Sequence, residues 1–221
     1  MRQRPEVHFV ESSRATYPQA LQKAKVKYPV TIILGKRQYG KTTWAIRHAL
    51  HHPRVVVIDP KSVEPGSRIH RYEEPYAVPG AVFFSGPLAP LVDELADVMN
   101  RRIWTVVFRS GTSYIEVVKL VREVGDCHFH FDELNRYLEE PGLQRELLTL
   151  LAESSAKGVS FSCCAHRPQR LTTDIREAAD QLIIFRTTGP RAQDVLRDFD
   201  ADIDLDRVAN LKVGEWIEVE L

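Results

Sequence analysis

The sequence has no excess of charge of either sign. Its 221 residues include 30 basic and 30 acidic side chains, so the formal net charge is zero. A protein that coats nucleic acid passively normally carries a basic excess, and this class is therefore disfavoured. A protein that grips DNA with only a few side chains is not excluded. The length is that of one domain, large enough to bury a core without disulfides or metal staples.

Cysteines are few and long apolar segments are missing. The three cysteines are Cys127 and the adjacent Cys163 and Cys164, all within apolar, strand-like runs and without C-x-x-C spacing. We expect buried thiols in a reducing compartment. No window approaches the roughly 18 apolar residues of a membrane span, and the N-terminus lacks the apolar core of a secretory signal. We therefore expect a cytoplasmic protein with no transmembrane segment.

One glycine-rich motif stands out against this background. Residues 35–43 satisfy G-x-x-x-x-G-K-[ST], follow the apolar run Val30 to Leu34, and precede a segment with helical spacing. In such a loop the backbone N–H groups surround phosphate, Lys41 reaches the β- and γ-phosphates, and the Thr42 hydroxyl ligates Mg²⁺. The predicted nucleotide-binding residues are Gly35, Lys36, Arg37, Gln38, Tyr39, Gly40, Lys41, Thr42 and Thr43.

Strand-like and helix-like segments alternate along the rest of the chain. Residues 55–59 form a continuous apolar run that ends in an acid, and the helical pattern of residues 143–157 ends at Gly158. The alternation predicts an α/β fold, a three-layer α/β/α sandwich on a mostly parallel sheet with a P-loop NTPase core. We divide the chain into an N-terminal extension, residues 1–29, and a P-loop ATPase domain, residues 30–221.

A second nucleotide element is predicted at residues 129–133, an apolar strand that ends in two carboxylates. This is the pattern of a Walker B site, in which Asp132 would hold Mg²⁺ together with Thr42 and Glu133 would orient and deprotonate the attacking water. The alternative is two acids stabilised at a helix N-terminus. Their pairing with the phosphate loop favours ATP hydrolysis coupled to mechanical work.

Three histidines lie on or next to predicted strands. His128 and His130 alternate on the strand before Asp132, and because no third metal ligand is evident we interpret them as core or sheet-face residues. His166 ends a later strand that we expect beside the phosphate loop. From pattern alone, it is either a sensor of the γ-phosphate or part of a surface loop.

Four segments in this order resemble the FtsK/HerA family of ring-forming DNA translocases, which includes viral genome-packaging ATPases. They are residues 35–43, residues 58–64 (Ile-Asp-Pro-Lys-Ser-Val-Glu), residues 131–134 (Phe-Asp-Glu-Leu), and Lys157-Gly158-Val159 leading to His166-Arg167-Pro168. The closing residues 211–216 are similar to the family's last strand. The resemblance covers roughly residues 30–221 and implies a RecA/FtsK-like ASCE core. Where the family usually has Gln, this chain has His166, to which the sensor role is carried over.

The resemblance implies an ATPase that forms a homo-oligomeric ring, a pentamer or hexamer, and uses ATP and Mg²⁺ to pump double-stranded DNA into a viral capsid. Catalytic residues would be Glu133, Lys41 and His166. The partners would be double-stranded DNA, further copies of the chain, and capsid or membrane-vertex proteins, in the host cytoplasm or at the packaging vertex of the virion. Two alternatives stay open: a nucleotide-dependent assembly or export switch without processive DNA movement, and a small-molecule kinase.

A translocase of this kind also needs a cation that stabilises the charge developing on the γ-phosphate. Within the two nucleotide motifs, residues 35–43 and 129–133, the only arginine is Arg37, so we expect a neighbouring subunit to supply an arginine finger. The candidates are Arg145, Arg109 and Arg167.

Overall fold

The computed structural model describes residues 27–60, 80–109, 111–140 and 142–221. Most of the predicted N-terminal extension and the Lys61 to Glu64 part of the family resemblance lie outside the described residues. The strands are β1 (Val30–Leu34), β2 (Arg54–Ile58), β3 (Ala81–Phe84), β4 (Trp104–Phe108), β5 (His128–Phe131), β6 (Ser160–Ala165), β7 (Gln181–Phe185) and β8 (Trp216–Glu220). The helices are α1 (Lys41–Ala49), α2 (Val92–Met99), α3 (Tyr114–Val124), α4 (Leu143–Lys157), α5 (Thr173–Glu177), α6 (Pro190–Phe199) and α7 (Leu205–Asn210).

The eight strands form one sheet in the order β3-β4-β2-β5-β6-β1-β7-β8. All neighbouring pairs are parallel except β7 with β8, which is antiparallel, so the predicted mostly parallel sheet is confirmed. The strand β6 lies between β1 and β5, and Ile32 pairs with Cys163 while Phe131 pairs with the same residue from the other side. The expectation that the strand ending at His166 lies beside the phosphate-loop strand is therefore confirmed.

The two faces of the sheet are covered unequally. One face carries the large core, to which α2 through α7 all contribute buried side chains, among them Leu95, Val118, Leu147 and Leu196. On the other face Ala45 and Ala49 of α1 pack against the remaining strand side chains. Among the described helices, α1 alone contributes to the buried clusters of this second face. The predicted three-layer α/β/α arrangement is thus confirmed, with one thin layer.

Along each strand, successive side chains alternate between these two faces of the sheet. In β5 the phenylalanines Phe129 and Phe131 enter the large core, so His128 and His130 point to the face that α1 covers. Both histidines are fully buried, as the sequence predicted. The three cysteines are also buried and free, as expected. No helix of the described residues is long and apolar enough to cross a bilayer.

Candidate nucleotide-binding site

The phosphate loop connects the end of β1 to the start of α1. Gly35 has a φ of 143°, and a Cβ placed on it would lie 2.6 Å from the Cβ of Phe185. Gly40 has a φ of 103° and is the N-cap of α1, so the helix begins at Lys41. Both positions need glycine, since L side chains rarely adopt this backbone region and the first also lacks space. The loop is attached to the end of the neighbouring strand β7, because the Lys36 N–H donates to the Arg186 carbonyl at 2.9 Å.

Lys41 is buried and folded back over its own loop. Its Nζ donates to the carbonyls of Gly35 and Lys36, both at 2.7 Å, and lies 2.9 Å from Nδ1 of His166. An ammonium group can only donate, so Nδ1 accepts and the proton of the neutral imidazole is assigned to Nε2. A phosphate bound in the loop would compete with His166 for this ammonium group.

His166 joins Lys41 to Glu133. Its Nε2 lies 3.1 Å from Glu133 Oε1, and its backbone N–H donates to Asn135 Oδ1 at 3.2 Å. The histidine reaches both partners because β6, which it follows, lies between β1 and β5. Pattern alone left a surface loop open as the alternative, but the side chain is only 20% exposed and lies within this polar cluster.

Glu133 follows β5 in the left-handed backbone region, with a φ of 52°. This backbone conformation turns the Glu133 side chain away from that of Asp132, so the two carboxylates contact different groups. Arg136 Nη1 donates to Glu133 Oε2 at 2.9 Å, and this hydrogen bond raises the pKa of the guanidinium. The buried Glu133 carboxylate therefore carries a cation on one oxygen and an imidazole on the other, and a water that it activates must share one of these acceptor oxygens.

Asp132 and Thr42 bring two oxygen atoms together beside the phosphate loop. Thr42 Oγ1 lies 3.5 Å from Asp132 Oδ2, and the carboxylate is almost fully buried. Mg²⁺ takes hard oxygen ligands in octahedral geometry and usually keeps several waters, so one hydroxyl and one carboxylate fit its needs. The donor set and spacing are those that the sequence predicted; the metal itself stays a prediction.

A cleft of about 720 Å³ opens beside these groups. Its lining combines polar groups, among them Lys41, Thr42, Glu133 and His166, with aromatic side chains. Such a mixture suits a ligand that has charged phosphates and a flat base. The remaining lining residues are Arg37, Gln38, Gly40, Thr43, Trp44, Arg47, Phe185, Val213, Gly214 and Trp216.

Two predicted loop residues point elsewhere. Lys36 is exposed and contributes its backbone, and Tyr39 accepts a hydrogen bond from Arg186 at 3.2 Å through its hydroxyl. Neither is among the residues that line the cleft. Both residues shape the loop, and their part in nucleotide binding stays a prediction.

The three arginine-finger candidates lie away from the cleft of their own chain. Arg145 is 81% exposed on α4, Arg109 packs over the ring of Phe83 at 4.4 Å, and Arg167 is exposed after β6. None of them lines the cleft among the described residues. An arginine that acts on a neighbouring subunit has no need to do so, and the assignment stays a prediction.

Sequence reasoning missed several residues in or next to the cleft. Arg136 contacts Glu133 from three positions along the chain, but the left-handed backbone at Glu133 is one that its residue type does not signal. Arg47 lies on α1, one turn beyond Thr43, and was predictable from the helix alone. Phe185 and Trp216 come from β7 and β8, and only the strand order places them beside the loop.

Comparison with known proteins gives the fold independently. No protein-family model matches the sequence, and no curated protein sequence matches it. Solved structures do match. The genome packaging NTPase B204 from Sulfolobus turreted icosahedral virus 2, in complex with AMP, has a TM-score of 0.61 at 14% identity, covering 88% of this chain and 93% of that chain. Its complex with ATP-gammaS has a TM-score of 0.59 at 14% identity, covering 88% and 92%.

A third match is B204, the DNA-packaging ATPase from Sulfolobus Turreted Icosahedral Virus, with a TM-score of 0.59 at 13% identity, covering 87% of this chain and 92% of that chain. These likenesses extend over nearly the whole of both chains at low sequence identity. The chain therefore has the P-loop NTPase fold that these viral genome-packaging NTPases share.

Proposed function

We propose that this protein is an ATP-hydrolysing DNA translocase that assembles as a ring and packages viral double-stranded DNA into a capsid. One observation carries the proposal: Lys41, Asp132 and Glu133 meet at the carboxyl edge of three adjacent parallel strands, and His166 bonds to the first and the last of them. These are the groups that phosphate binding, metal binding and water activation require.

The water-activating role of Glu133 favours hydrolysis over phosphate transfer to a small molecule. Its carboxylate borders the cleft beside His166 and Lys41, where the terminal phosphate of a nucleotide would lie. The likeness to a packaging NTPase that was solved with AMPPCP and ATP-gammaS supports ATP as the ligand of this chain also. The same likeness, to a genome packaging NTPase, supports a genome-packaging role for this chain.

The ring is proposed from the charge balance at the phosphate. Lys41, together with a magnesium ion that Thr42 and Asp132 would hold, would neutralise part of the charge in the transition state. Arg136 is paired with the Glu133 carboxylate. An arginine from a neighbouring subunit would supply the remaining cation, and such a residue contributes roughly 10³ to 10⁵ in rate.

The decisive experiment measures the ATPase rate of the full chain with and without double-stranded DNA, over a range of protein concentrations. A translocase should hydrolyse ATP faster with DNA and faster per subunit as rings form. An assembly switch should bind ATP without DNA stimulation, and a kinase should require an acceptor molecule. Full activity of a dilute monomer that ignores DNA would overturn the proposal.

Rings that contain two different variant subunits identify the arginine finger. Each of Arg109, Arg145 and Arg167 is changed to alanine and mixed with Glu133→Gln subunits. The finger variant keeps an intact base, and the Glu133→Gln subunit keeps an intact finger, so their mixture should recover hydrolysis that neither protein shows alone. Arg102→Ala, an exposed arginine before β4, serves as the control and should be active without mixing. If no candidate shows recovery on mixing, the finger is another residue or the ring does not form.

A further inference from the structure

Three histidines meet on the face of the sheet that α1 covers, away from the nucleotide cleft. His48 lies in the last turn of α1, His52 follows the end of that helix, and His128 is the first residue of β5. One ligating nitrogen from each of the three lies within 4.8 Å of the others. The His52 and His128 rings stack with centroids 4.6 Å apart, and His48 meets His128 edge-on at 5.3 Å.

The local structure brings these residues together for simple reasons. His48 and His52 are four positions apart, and the turn that follows α1, in which the His52 N–H donates to the Ala49 carbonyl at 2.9 Å, brings them to one side. His128 alternates with Phe129, which enters the large core, so the histidine faces α1. The sequence suggested only His130 as a companion of His128. The structure instead brings His48 and His52 to His128.

The chemical state of the cluster suits metal binding. Burial lowers the pKa of His128 well below its ordinary value, with a further contribution from His52, and burial also lowers the pKa of His52. Both rings are therefore neutral near pH 7 and keep a nitrogen lone pair that a metal can use. His48 and His52 are only half-buried, so ions can reach the cluster from solvent.

His128 also has the supporting contacts of a metal ligand. Its Nδ1 lies 2.9 Å from the Ser160 hydroxyl and its Nε2 lies 2.9 Å from the Ser162 hydroxyl. Ligating histidines usually donate their other ring N–H to a partner, which fixes the tautomer and the ring plane. Either serine can fill this role while the other gives up its hydrogen bond to the incoming ion.

We propose that His48, His52 and His128 form a binding site for a divalent transition metal ion, with Zn²⁺ as the best fit. Imidazole ligands suit Zn²⁺, and three of them leave a fourth, tetrahedral position for water. Bonds of 2.0–2.1 Å to a tetrahedral ion place the nitrogens about 3.4 Å apart, so from separations of up to 4.8 Å they need to close by at most about 1.4 Å. Because the His52 and His128 rings stack, the His52 ring must also turn so that its in-plane lone pair points at the same ion as that of His128.

The position of the cluster indicates a structural role. It joins the end of α1 to the start of β5, whereas the opposite ends of these elements carry Lys41 and Asp132. A bound ion would hold the two elements in register at the end remote from the cleft. Mg²⁺ would not replace it, because that ion prefers oxygen ligands.

The test uses the full-length protein, stripped of metal with a chelator and dialysed, and titrates it with ZnCl₂ in a calorimeter at pH 7.5. The wild type should bind one equivalent of Zn²⁺. His52→Ala should bind Zn²⁺ at least tenfold more weakly. His51→Ala is the matched control, since His51 is exposed, adjacent in sequence and outside the cluster. This control should bind Zn²⁺ like the wild type.

Two further readouts separate this site from other metal binding. Co²⁺ in place of Zn²⁺ should give the intense visible absorption of a tetrahedral ion in the wild type and in His51→Ala, but not in His52→Ala or His48→Ala. Zn²⁺ should raise the melting temperature in the same two proteins only. His128→Ala is avoided as the main variant because this buried residue also supports the sheet.

The proposal is overturned if the wild type binds no Zn²⁺ at millimolar concentration, or if His52→Ala and His48→Ala bind as the wild type does. The latter result would place the ion at another group, such as the buried His130, Asp132 and Cys164. Circular dichroism of the metal-free variants should match the wild type, so that loss of binding reports the ligand and not the fold.

Discussion

Replacing His166 by alanine tests the hydrogen-bonded chain between the phosphate loop and Glu133. Alanine removes the 2.9 Å contact with Lys41 Nζ and the 3.1 Å contact with Glu133 Oε1. Lys41 keeps the carbonyls of Gly35 and Lys36, and Glu133 keeps Arg136. We expect the fold to survive and the base to lose one of the two groups that orient it.

The size of the effect follows from these contacts. A hydrogen bond to a charged group contributes about 1.5–3 kcal/mol, and about 1.4 kcal/mol corresponds to a tenfold change in rate. If the Glu133 contact is maintained in the transition state, kcat should fall about ten- to a hundredfold. The KM for ATP should not rise, because His166 competes with phosphate for Lys41.

Glutamine at position 166 is the matched conservative variant. Its terminal amide offers an acceptor oxygen toward Lys41 and a donor nitrogen toward Glu133, the same polarity as the neutral imidazole. His166→Gln should therefore retain most of the activity that His166→Ala loses. Steady-state ATPase assays with Mg²⁺ give kcat and KM, and urea unfolding checks the fold. Wild-type kcat in the alanine variant, or equal loss in both, would refute the reasoning.

Three other predictions address the loop, the base and the core. Lys41→Ala should weaken nucleotide binding as well as turnover, whereas Glu133→Gln should bind ATP and lower kcat by about 10² to 10⁴. Calorimetry measures the binding and single-turnover assays measure the rate. A wild-type rate for Glu133→Gln would exclude Glu133 as the base. Gly35→Ala should lower the free energy of unfolding by at least about 2 kcal/mol, because strain and overpacking each cost about 1–3 kcal/mol. Gly80→Ala, with a φ of 82° and nothing within 4 Å, should lose less in the same urea titration. Burial raises the pKa of Cys127 from 9.0 to about 12, so the unfolded chain loses this proton first and stability falls as pH rises above 9. The loss should total about 1.4 kcal/mol between pH 8 and pH 10 and should be missing in Cys127→Ala, which urea unfolding at pH 8, 9 and 10 would show. The same pH dependence in both proteins would contradict it.

Local patterns predicted much of this protein. The phosphate loop is a contiguous motif, and the strand before it and the helix after it follow from apolar periodicity, which is a property of neighbouring residues. The helix at residues 143–157 and its glycine stop were predicted at the bounds that the structure has. The short α7 was missed, since six residues present too few turns to show a period.

The candidate site was predictable only in part. Asp132, Glu133 and His166 each follow a buried strand, and the carboxyl ends of parallel strands meet at one edge, so their proximity to Lys41 was expected. Their partners were not. Arg136 bonds to Glu133 because of the left-handed turn at that residue, a backbone choice that the residue type does not signal.

The sequence by itself determined most of the strands and helices and the loop that is predicted to bind phosphate, because these depend on contacts a few residues apart. Tertiary structure alone decided the strand order, which inserts β6 between β1 and β5 and so sets His166 between Lys41 and Glu133. It also decided that His48 and His52 meet His128, some 76 residues further along the chain, across the α1 face of the sheet. Pairing of distant segments depends on how whole faces bury apolar surface against one another, and no window of the sequence contains that information.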